Sequence, residues 1–491
     1  TIGGIDKEGN DAVNDLTYAM LRATELMKLR DPNLNARYYP PDENSNGYKR
    51  ITYGVSSDEY LRRLCEININ THATPAIHND RAVIKALMSK GDTLEQARDY
   101  GVIGCVEPGS NGRFYGHTAS ILLNLTSVLE LTLFNGRHRH TGMDNLISIQ
   151  TGDPTTFKTF GEFKTAFKKQ TEWMVGLTTN LNSIFGRVHQ DFYPTPILSA
   201  FFEGPMDNGL DLIQGGAVIN SSGVTIVGLA DVADSLSAIE NVVFNAKYCS
   251  FDVFLDAINN NFEGYEVLQK RLMNPDKTPK YGNEDPVADG NVTYLVELLD
   301  RLYGEMKNYR GGNYRVGYWT MTNHAGFGRL TKALPNGRKA HENFTSGITP
   351  VSKVTPVLTK ATNSVAKQPV ECLSSGVALN LKYTPELGAR NTMLDNFAAS
   401  IKGYFDGGNG NGEKVGGMEI QFNVTNHDTF ADAVKNPENY PELLVRVSGY
   451  TAYFKDLTPQ MQKEIIDRTE YLLSNGRSVD YDPFPLPKIG G

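Results

Sequence analysis

Short apolar runs alternate with longer amphipathic runs along almost the whole sequence. Apolar residues at helical spacing indicate helices. Apolar residues at every second position, or in a short continuous run, indicate strands. Helices are predicted at 11–29, 56–68, 80–100, 118–134, 160–185, 232–244, 292–308 and 459–474, and strands at 102–104, 198–202, 218–220, 225–228, 315–322 and 418–424. Strands that alternate with helices in this way predict an α/β protein whose sheet is at least partly parallel.

The composition excludes several functional classes. The chain has 491 residues and a formal net charge of −8, with acidic and basic residues intermixed, so no basic stripe predicts nucleic-acid binding. No apolar run approaches the roughly 20 residues that span a bilayer. The cysteines Cys65, Cys105, Cys249 and Cys372 form no Cys-x-x-Cys pair, which argues against zinc and iron–sulfur sites. Scattered thiols in a long chain indicate a reducing compartment, so we expect a cytoplasmic protein.

Two glycine-containing segments carry the functional information. One is Gly101-Val-Ile-Gly-Cys105-Val-Glu107-Pro-Gly, and the other is Arg446-Val-Ser-Gly449-Tyr-Thr-Ala-Tyr-Phe. Cys105 and Gly449 are 449 − 105 = 344 residues apart. Taken singly, Gly449 is typical of a turn with positive φ, and Cys105 is typical of a buried core cysteine.

Taken together and in this order, the two segments resemble those of the glycyl radical enzymes. The stretch around Gly449 is similar to the glycyl radical signature, and Gly-Cys105-Val-Glu107-Pro is similar to the catalytic cysteine loop. A Cα radical is stabilised by a donating amide nitrogen and a withdrawing carbonyl, and only glycine flattens without a side-chain clash. The resemblance implies a barrel of ten strands in two five-stranded halves, surrounded by helices. Cys105 and Gly449 would then enter on opposite loops and meet inside.

The resemblance also implies a reaction scheme. The Gly449 radical would take a hydrogen atom from Cys105, the Cys105 thiyl radical would take one from the substrate, and the product radical would take it back. No metal or bound cofactor is expected during turnover. A separate activating enzyme that uses S-adenosylmethionine and a 4Fe–4S cluster would install the radical on Gly449. The implied partners are this activase, a small-molecule substrate and a second copy in a homodimer.

Glu107 divides the family into subclasses. In this family, formate acetyltransferases have two adjacent cysteines in the cysteine loop. Here Val106 follows Cys105, which argues against this activity, although it stays an alternative. The Cys-x-Glu pattern is shared by glycerol and diol dehydratases, choline and isethionate lyases, and hydroxyarylacetate decarboxylases. Glu107 is predicted to remove a substrate hydroxyl proton, or to hold a substrate carboxylate when protonated.

The predicted substrate-binding residues are His117, His138 and Phe202. Dehydratase-like enzymes place an acidic residue where this chain has Ala119, which slightly favours decarboxylation of an arylacetate, as in 4-hydroxyphenylacetate decarboxylase, over glycerol or diol dehydration. His138 lies in Arg-His138-Arg-His, where its position resembles that of a phenol-contacting histidine. A basic helix end explains the same residues equally well. Elimination at a C–O, C–N or C–S bond stays open.

The resemblance extends over residues 1–491. Residues 1–334 are predicted to be the C-terminal portion of the catalytic barrel domain with the cysteine loop, and residues 335–491 the glycine radical domain. The sequence begins in what looks like the interior of a protein, so we expect an N-terminal part to be missing. The rival to an enzyme is an inactive truncated fragment.

Overall fold

A computed structural model describes residues 1–39, 57–384, 390–407 and 415–472. Its strands are Ile2–Gly3 (β1), Asn35–Tyr38 (β2), Ala76–Asn79 (β3), Tyr100–Ile103 (β4), Glu107–Ser110 (β5), Phe114–Tyr115 (β6), Ile121–Asn124 (β7), Arg137–His138 (β8), Gly142–Leu146 (β9), Ile219–Val227 (β10), Asn313–Gly317 (β11), Asn380–Thr384 (β12), Glu419–Val424 (β13), Leu444–Arg446 (β14), Thr451–Tyr453 (β15) and Glu470–Leu472 (β16).

Its α-helices are Asp15–Met27 (α1), Ser57–Thr71 (α2), Asp80–Ser89 (α3), Leu94–Arg98 (α4), Leu125–Leu133 (α5), Phe160–Phe192 (α6), Pro196–Ser199 (α7), Pro205–Asn208 (α8), Leu229–Ala238 (α9), Phe251–Asn259 (α10), Glu266–Met273 (α11), Pro286–Gly304 (α12), Asn323–Leu330 (α13), Leu358–Ala366 (α14), Arg390–Asp406 (α15), His427–Lys435 (α16) and Pro459–Asp467 (α17). A π-helix, Ile239–Asn245, continues α9, and 3-10 helices lie at Pro154–Thr156, Leu212–Gln214, Val370–Cys372, Pro437–Asn439 and Phe454–Asp456. None of the helices in these described ranges is long and apolar enough to cross a membrane.

The strands form two groups of opposite direction. In the first group β7, β10 and β11 are parallel neighbours, and a parallel bridge from Tyr318 to Val377 links the end of β11 to the start of β12. Strand β12 pairs in parallel with β13. Strand β13 then pairs antiparallel with β3, which continues in parallel to β2 and β1. Strand β6 is also parallel to β10, and β16 to β12. The described residues thus place seven parallel strands on one side of the antiparallel join and three on the other, within the predicted α/β barrel architecture.

The helices that cover the strands begin where the sequence supplies caps. Thr159 and Glu162 form a capping box at the start of α6, with reciprocal bonds between side chains and backbone amides. Asp285 caps α12 by accepting from the amides of Val287 and Ala288, and Pro286 occupies the first helical position. Every residue of α9 is buried, because this helix packs against both α5 and α12.

The two faces of β13 differ in chemistry. The aromatic ring of Phe422 contacts Phe397 of α15 and Tyr383 of β12, with centroid distances of 4.6 and 5.1 Å. The residues that alternate with this apolar face, Glu419, Gln421 and Asn423, are also buried. Since successive strand residues point to opposite faces, these polar side chains point away from the aromatic layer. This polar face holds the candidate site.

Two predicted elements are wrong. The segment predicted as a helix at 118–134 is strand β7 followed by helix α5, and the segment predicted as a strand at 198–202 contains the end of helix α7. The apolar run Ile121–Leu123 has no period that separates a buried strand from a buried helix. Pairing with β10 along four residues decides in favour of the strand.

Further boundaries differ from the predictions: the segment predicted as a helix at 80–100 is α3 and α4, and two other differences involve strands. The strands predicted at 218–220 and 225–228 are one continuous strand, β10, in which Gly223 faces the close backbone of Thr118. The helix predicted at 459–474 ends at Asp467, and β16 follows it and pairs with β12. Both differences arise from pairing with strands that are distant in sequence.

Candidate active site

Cys105 lies at the tip of an antiparallel hairpin formed by β4 and β5. Ile103 pairs with Glu107 across the turn, in which Gly104 has a φ of +62°. Tyr100, at the base of the hairpin, donates from its hydroxyl to Asp80 at 2.6 Å. Arg37 pairs with the same Asp80 and stacks 4.0 Å from the centre of the Tyr100 ring. This buried network fixes the base of the hairpin, and therefore the direction in which its tip projects.

Gly449 lies at the tip of a second antiparallel hairpin, formed by β14 and β15. The Val447 amide donates to the Tyr450 carbonyl at 3.0 Å, which closes the turn, and Gly449 has a φ of +90°. Arg468, just beyond α17, donates to the carbonyls of Arg446 and Val447 at 2.9 and 2.5 Å. The turn is therefore held from behind by a buried guanidinium.

The two hairpin tips meet. A Cβ placed on Gly449 would overlap the Cβ of Cys105 and would lie 2.9 Å from its Sγ. Because a Cα–Cβ bond is about 1.5 Å long, the sulfur lies within about 4.4 Å of the Gly449 Cα. One α-hydrogen of Gly449, in the position where an L side chain would begin, points at Cys105. The arrangement allows a hydrogen atom to pass directly between the two residues.

Cys105 lies in a small apolar cluster. Its side chain packs in a cluster with Val106, Trp319 and Ala378, and only 9% of it is exposed. Burial, with a smaller contribution from the neighbouring Glu107 carboxylate, raises the pKa of the Cys105 thiol to about 12. The sulfur therefore carries its hydrogen at neutral pH, which suits a hydrogen-atom donor and not a thiolate nucleophile.

Glu107 is a buried carboxyl group without a partner. Its residue is 2% exposed, and neither carboxyl oxygen has a hydrogen-bond partner among the residues that the structure describes. Burial raises the pKa of Glu107 well above its usual range, and the nearby backbone amides of Cys105 and Ala119 oppose this only in part. A buried carboxyl group that is left unpaired next to Cys105 is available to a polar group of a substrate.

His117 and Phe202 belong to one aromatic cluster centred on Tyr115. The rings of Tyr115 and His117 are stacked with centroids 6.2 Å apart, and Phe202 contacts Tyr115 edge-on at 6.3 Å. Arg310 lies 3.3 Å from His117 Nδ1. Burial first, and Arg310 second, lower the pKa of His117 to about 4, so its imidazole is neutral.

The loop that carries His117 runs past the cysteine hairpin. His117 and Ala119 have φ angles of +41° and +51°, in the region that residues with side chains rarely adopt. Ala119 packs against the apolar cluster around Cys105. Strained backbone of this kind often marks a functional site.

The structure places His138 elsewhere. This residue lies in β8, on a hairpin whose second strand, β9, is exposed along its whole length. Its Nδ1 lies 3.9 Å from the Glu130 carboxylate, which forms an ion pair with Arg139. None of its contacts in the described ranges is with Cys105, Glu107 or Gly449. The reason is that α5 runs along the outside of the strands and carries the following hairpin away from the interior.

Three residues that hold Gly449 were not predicted from the sequence. Gln421 Oε1 accepts from the Gly449 amide at 3.1 Å, and Arg446 Nη2 donates to the Gly449 carbonyl at 3.1 Å. Asn423 exchanges two hydrogen bonds, of 2.8 and 2.9 Å, with the backbone of Arg446. One sequence pattern could have identified Gln421 and Asn423. Both are polar residues at alternate positions of a strand whose other face is apolar.

A cavity of about 880 Å³ lies behind the Gly449 hairpin. Its wall includes Lys280, Arg338, Glu464 and Arg468, and it does not include Cys105, Glu107 or Gly449. This cavity and the contact between Cys105 and Gly449 are therefore separate places in this structure.

Two family models match the sequence. The model described as pyruvate formate lyase-like matches residues 1–328, and the model described as glycine radical matches residues 344–455. The solved structure of the B12-independent glycerol dehydratase from Clostridium butyricum, in its glycerol-bound form, superposes with a TM-score of 0.87 at 33% identity. That comparison covers 96% of this chain and 56% of the dehydratase chain.

Curated relatives are lyases of several kinds. The chain is 34% identical to trans-4-hydroxy-L-proline dehydratase of Clostridioides difficile over 95% of its own length and 56% of the relative's. It is 34% identical to (2S)-3-sulfopropanediol dehydratase of Klebsiella oxytoca, over 96% and 54%. Indoleacetate decarboxylase of Tractidigestivibacter scatoligenes is more distant, at 25% identity over 96% and 54%. The chain thus spans somewhat more than half the length of these relatives.

Proposed function

The chain belongs to the pyruvate formate lyase-like family of glycyl radical enzymes, and we propose that it acts as a glycyl radical lyase in which Gly449 stores the radical and Cys105 delivers it to substrate. The observation that carries this proposal is the direct contact of Gly449 with the Cys105 side chain. Burial supports it as well, because a radical at this depth is shielded from oxygen and bulk water. The Cys105 thiol, protonated at neutral pH, has the hydrogen atom that the transfer requires.

The hydrogen atom moves along a balanced path. Once Gly449 has lost one α-hydrogen, its Cα radical takes the hydrogen atom from Cys105 S–H and leaves a thiyl radical. The thiyl radical breaks a C–H bond of the substrate and becomes a thiol again. After the substrate radical has rearranged or lost a group, the product radical recovers the hydrogen atom from Cys105. Cys105 then takes one from Gly449, which restores the starting state.

The substrate chemistry we propose is elimination. Glu107, once ionised, would take a proton from a substrate hydroxyl on the radical carbon, and a C–O, C–N or C–S bond on the adjacent carbon would then break. The departing group leaves with the bonding electron pair and takes up the proton that Glu107 received, and the unpaired electron stays on the product. Burial raises the pKa of Glu107, so the resting carboxyl group holds a proton and becomes a strong base once it is ionised, and its two unpaired oxygens leave room for the hydroxyl. Relatives at 34% identity include two dehydratases, which supports elimination over carbon–carbon cleavage.

Decarboxylation of an arylacetate is the second candidate. The aromatic cluster of Tyr115, His117 and Phe202 would suit an aromatic ring, and the 25% identical indoleacetate decarboxylase shares the family. His138 no longer supports this candidate, since its contacts lie on the outer hairpin. Formate acetyltransferase is disfavoured by Val106, which stands where a second cysteine would be needed.

We propose the remaining features on the same basis. The domain division at residues 334 and 335 is supported by family models that match 1–328 and 344–455. The glycine radical model also supports a separate activating enzyme, for which we propose the S-adenosylmethionine and 4Fe–4S type. A homodimer and a cytoplasmic location complete the proposal.

The test combines radical detection with a substrate panel. The chain is activated anaerobically with several activating enzymes of the family, its electron paramagnetic resonance (EPR) spectrum is recorded, and air is then admitted before mass spectrometry. We expect a doublet and, after air, backbone cleavage at Gly449. The activated chain is then given a panel of substrates that separates the candidate reactions. The panel contains vicinal diols, cyclic hydroxy amino acids, hydroxysulfonates, arylacetates, and pyruvate with coenzyme A. No radical with any activase would refute the proposal.

A further inference from the structure

We propose that Arg446 and Gln421 are positioning residues that form a closed hydrogen-bonded ring around Gly449 and stabilise its radical by polarising both of its backbone groups. This inference rests on the proposed role of Gly449 as the radical carrier. It adds two residues whose task is to set how strongly the radical is held.

The ring closes through three hydrogen bonds. The Gly449 amide donates to Gln421 Oε1 at 3.1 Å, Arg446 Nε donates to the same Oε1, and Arg446 Nη2 donates to the Gly449 carbonyl at 3.1 Å. The Gln421 side-chain NH2 group donates to Asn380 Oδ1 at 2.9 Å, which orients the amide with its oxygen toward the ring. The two groups bonded to the Gly449 Cα are therefore tied to one rigid unit.

The direction of the polarisation favours a radical at Cα. An acceptor on the N–H increases the electron density that the nitrogen can donate, and a cation on the carbonyl oxygen increases the withdrawal of electron density. A Cα radical is stabilised by these two effects acting together. Hydrogen bonds to a charged donor are stronger than neutral ones, and a low local dielectric strengthens them further.

Arg446 is unusually suited to this task. Its side chain is fully buried, and no carboxylate lies within 4.0 Å of its guanidinium in the described part of the chain. Its remaining bonds are to the neutral oxygens of Thr451 and Asn33, at 3.2 and 3.5 Å. Glu419 interacts with Arg446 electrostatically, but without a carboxylate in direct contact the guanidinium donates to the Gly449 carbonyl and to Gln421.

The same hairpin offers a matched control. Arg468 is also buried, but it donates to the carbonyls of Arg446 and Val447 and not to either group of Gly449. A substitution there loosens the hairpin and leaves the ring around Gly449 in place. Arg468→Lys therefore separates a structural effect on the hairpin from an electronic effect on the radical.

The experiment compares EPR spectra of the activated wild type, Arg446→Lys, Gln421→Met and Arg468→Lys, with 13C on the glycine Cα. Lysine keeps the charge but cannot bond Gln421 and the Gly449 carbonyl at once. We expect a larger 13Cα coupling in both ring variants, because less spin density is delocalised onto nitrogen and oxygen. We also expect their anaerobic signal to decay about tenfold faster, which corresponds to about 1.4 kcal/mol.

The outcomes are distinct. The inference would be overturned if Gln421→Met and Arg446→Lys showed the same 13Cα coupling as the wild type. It would also be overturned if Arg468→Lys changed the 13Cα coupling as much as the two ring variants do. If Arg446→Lys does not accept a radical, Gln421→Met tests the same ring through its other member. Failure of the wild type to form any radical would instead refute the proposed function of Gly449.

Discussion

Replacing Gly449 by alanine tests the contact between the two hairpins without any need for activity. At a φ of +90°, a residue with a side chain is strained, which costs about 1–2 kcal/mol. The new Cβ also overlaps the Cβ of Cys105, and overpacking of this kind costs about 1–3 kcal/mol. We therefore expect Gly449→Ala to destabilise the hairpin by about 2–5 kcal/mol, the sum of the two terms.

A double-mutant cycle isolates the contact. Cys105→Gly removes both the Cβ and the Sγ that the alanine would meet, so in that background the backbone strain and a tight 3.1 Å contact with the Cα of residue 105 should persist. The coupling between the two positions should then be about 1–3 kcal/mol. Gly91→Ala is the control for strain alone, because Gly91 has a φ of +95° and a Cβ placed there would meet no atom within 4 Å.

Amide hydrogen exchange is the appropriate assay. Exchange at residues 446–451, followed by mass spectrometry, gives the free energy of opening of this hairpin and does not require the whole chain to unfold in one step. The control Gly91→Ala should lower the free energy of opening around residue 91 by the same amount in the wild type and in the Cys105→Gly variant. Effects of Gly449→Ala and Cys105→Gly that add to within about 0.5 kcal/mol would refute the contact.

Three further predictions concern the chemistry. Cys105→Ser should keep the EPR doublet but abolish turnover. In D2O the wild-type doublet should collapse, because Cys105 delivers deuterium to Gly449. Collapse of the doublet in the Cys105→Ser variant would exclude Cys105 as the carrier of the hydrogen atom. Glu107→Gln should keep the radical and lower the rate about 10²–10⁴-fold, as loss of a general base does, and full activity would make Glu107 a bystander. Because the pKa of Glu107 is raised, the folded protein favours the neutral form of this carboxyl group. The folded protein therefore loses stability as the pH rises above the pKa that Glu107 has in the unfolded chain. Glu107→Gln should therefore raise the melting temperature at pH 8 more than at pH 5, and an equal change at both would contradict an unpaired buried carboxyl group.

The fold was predictable to the extent that it follows from local patterns. The alternation of strands and helices and the strand β13 depend on residues a few positions apart, and these predictions hold. The apolar run that contains Ile121 was assigned wrongly because a buried strand and a buried helix have the same local composition. Only its pairing with β10, about a hundred residues downstream, makes it a strand.

The candidate site divides in the same way. The sequence alone predicted Cys105, Glu107 and Gly449 as site residues, because their residue types and immediate neighbours resemble a known pair of loops. It could not distinguish His117, which reaches the aromatic cluster by Tyr115, from His138, which lies on the outer hairpin. Both histidines have plausible neighbours in sequence, and the direction of the chain after α5 separates them.

The sequence by itself determined the family resemblance and the prediction that Gly449 and Cys105 carry the radical, since that prediction depends on the chemistry of a glycine Cα and a thiol. The tertiary structure decided that these residues touch, that Glu107 is buried without a partner, and that Arg446 and Gln421 enclose Gly449. Contacts across 344 residues and the burial of a charge depend on how the strands of the whole chain pack together. No local pattern records that packing.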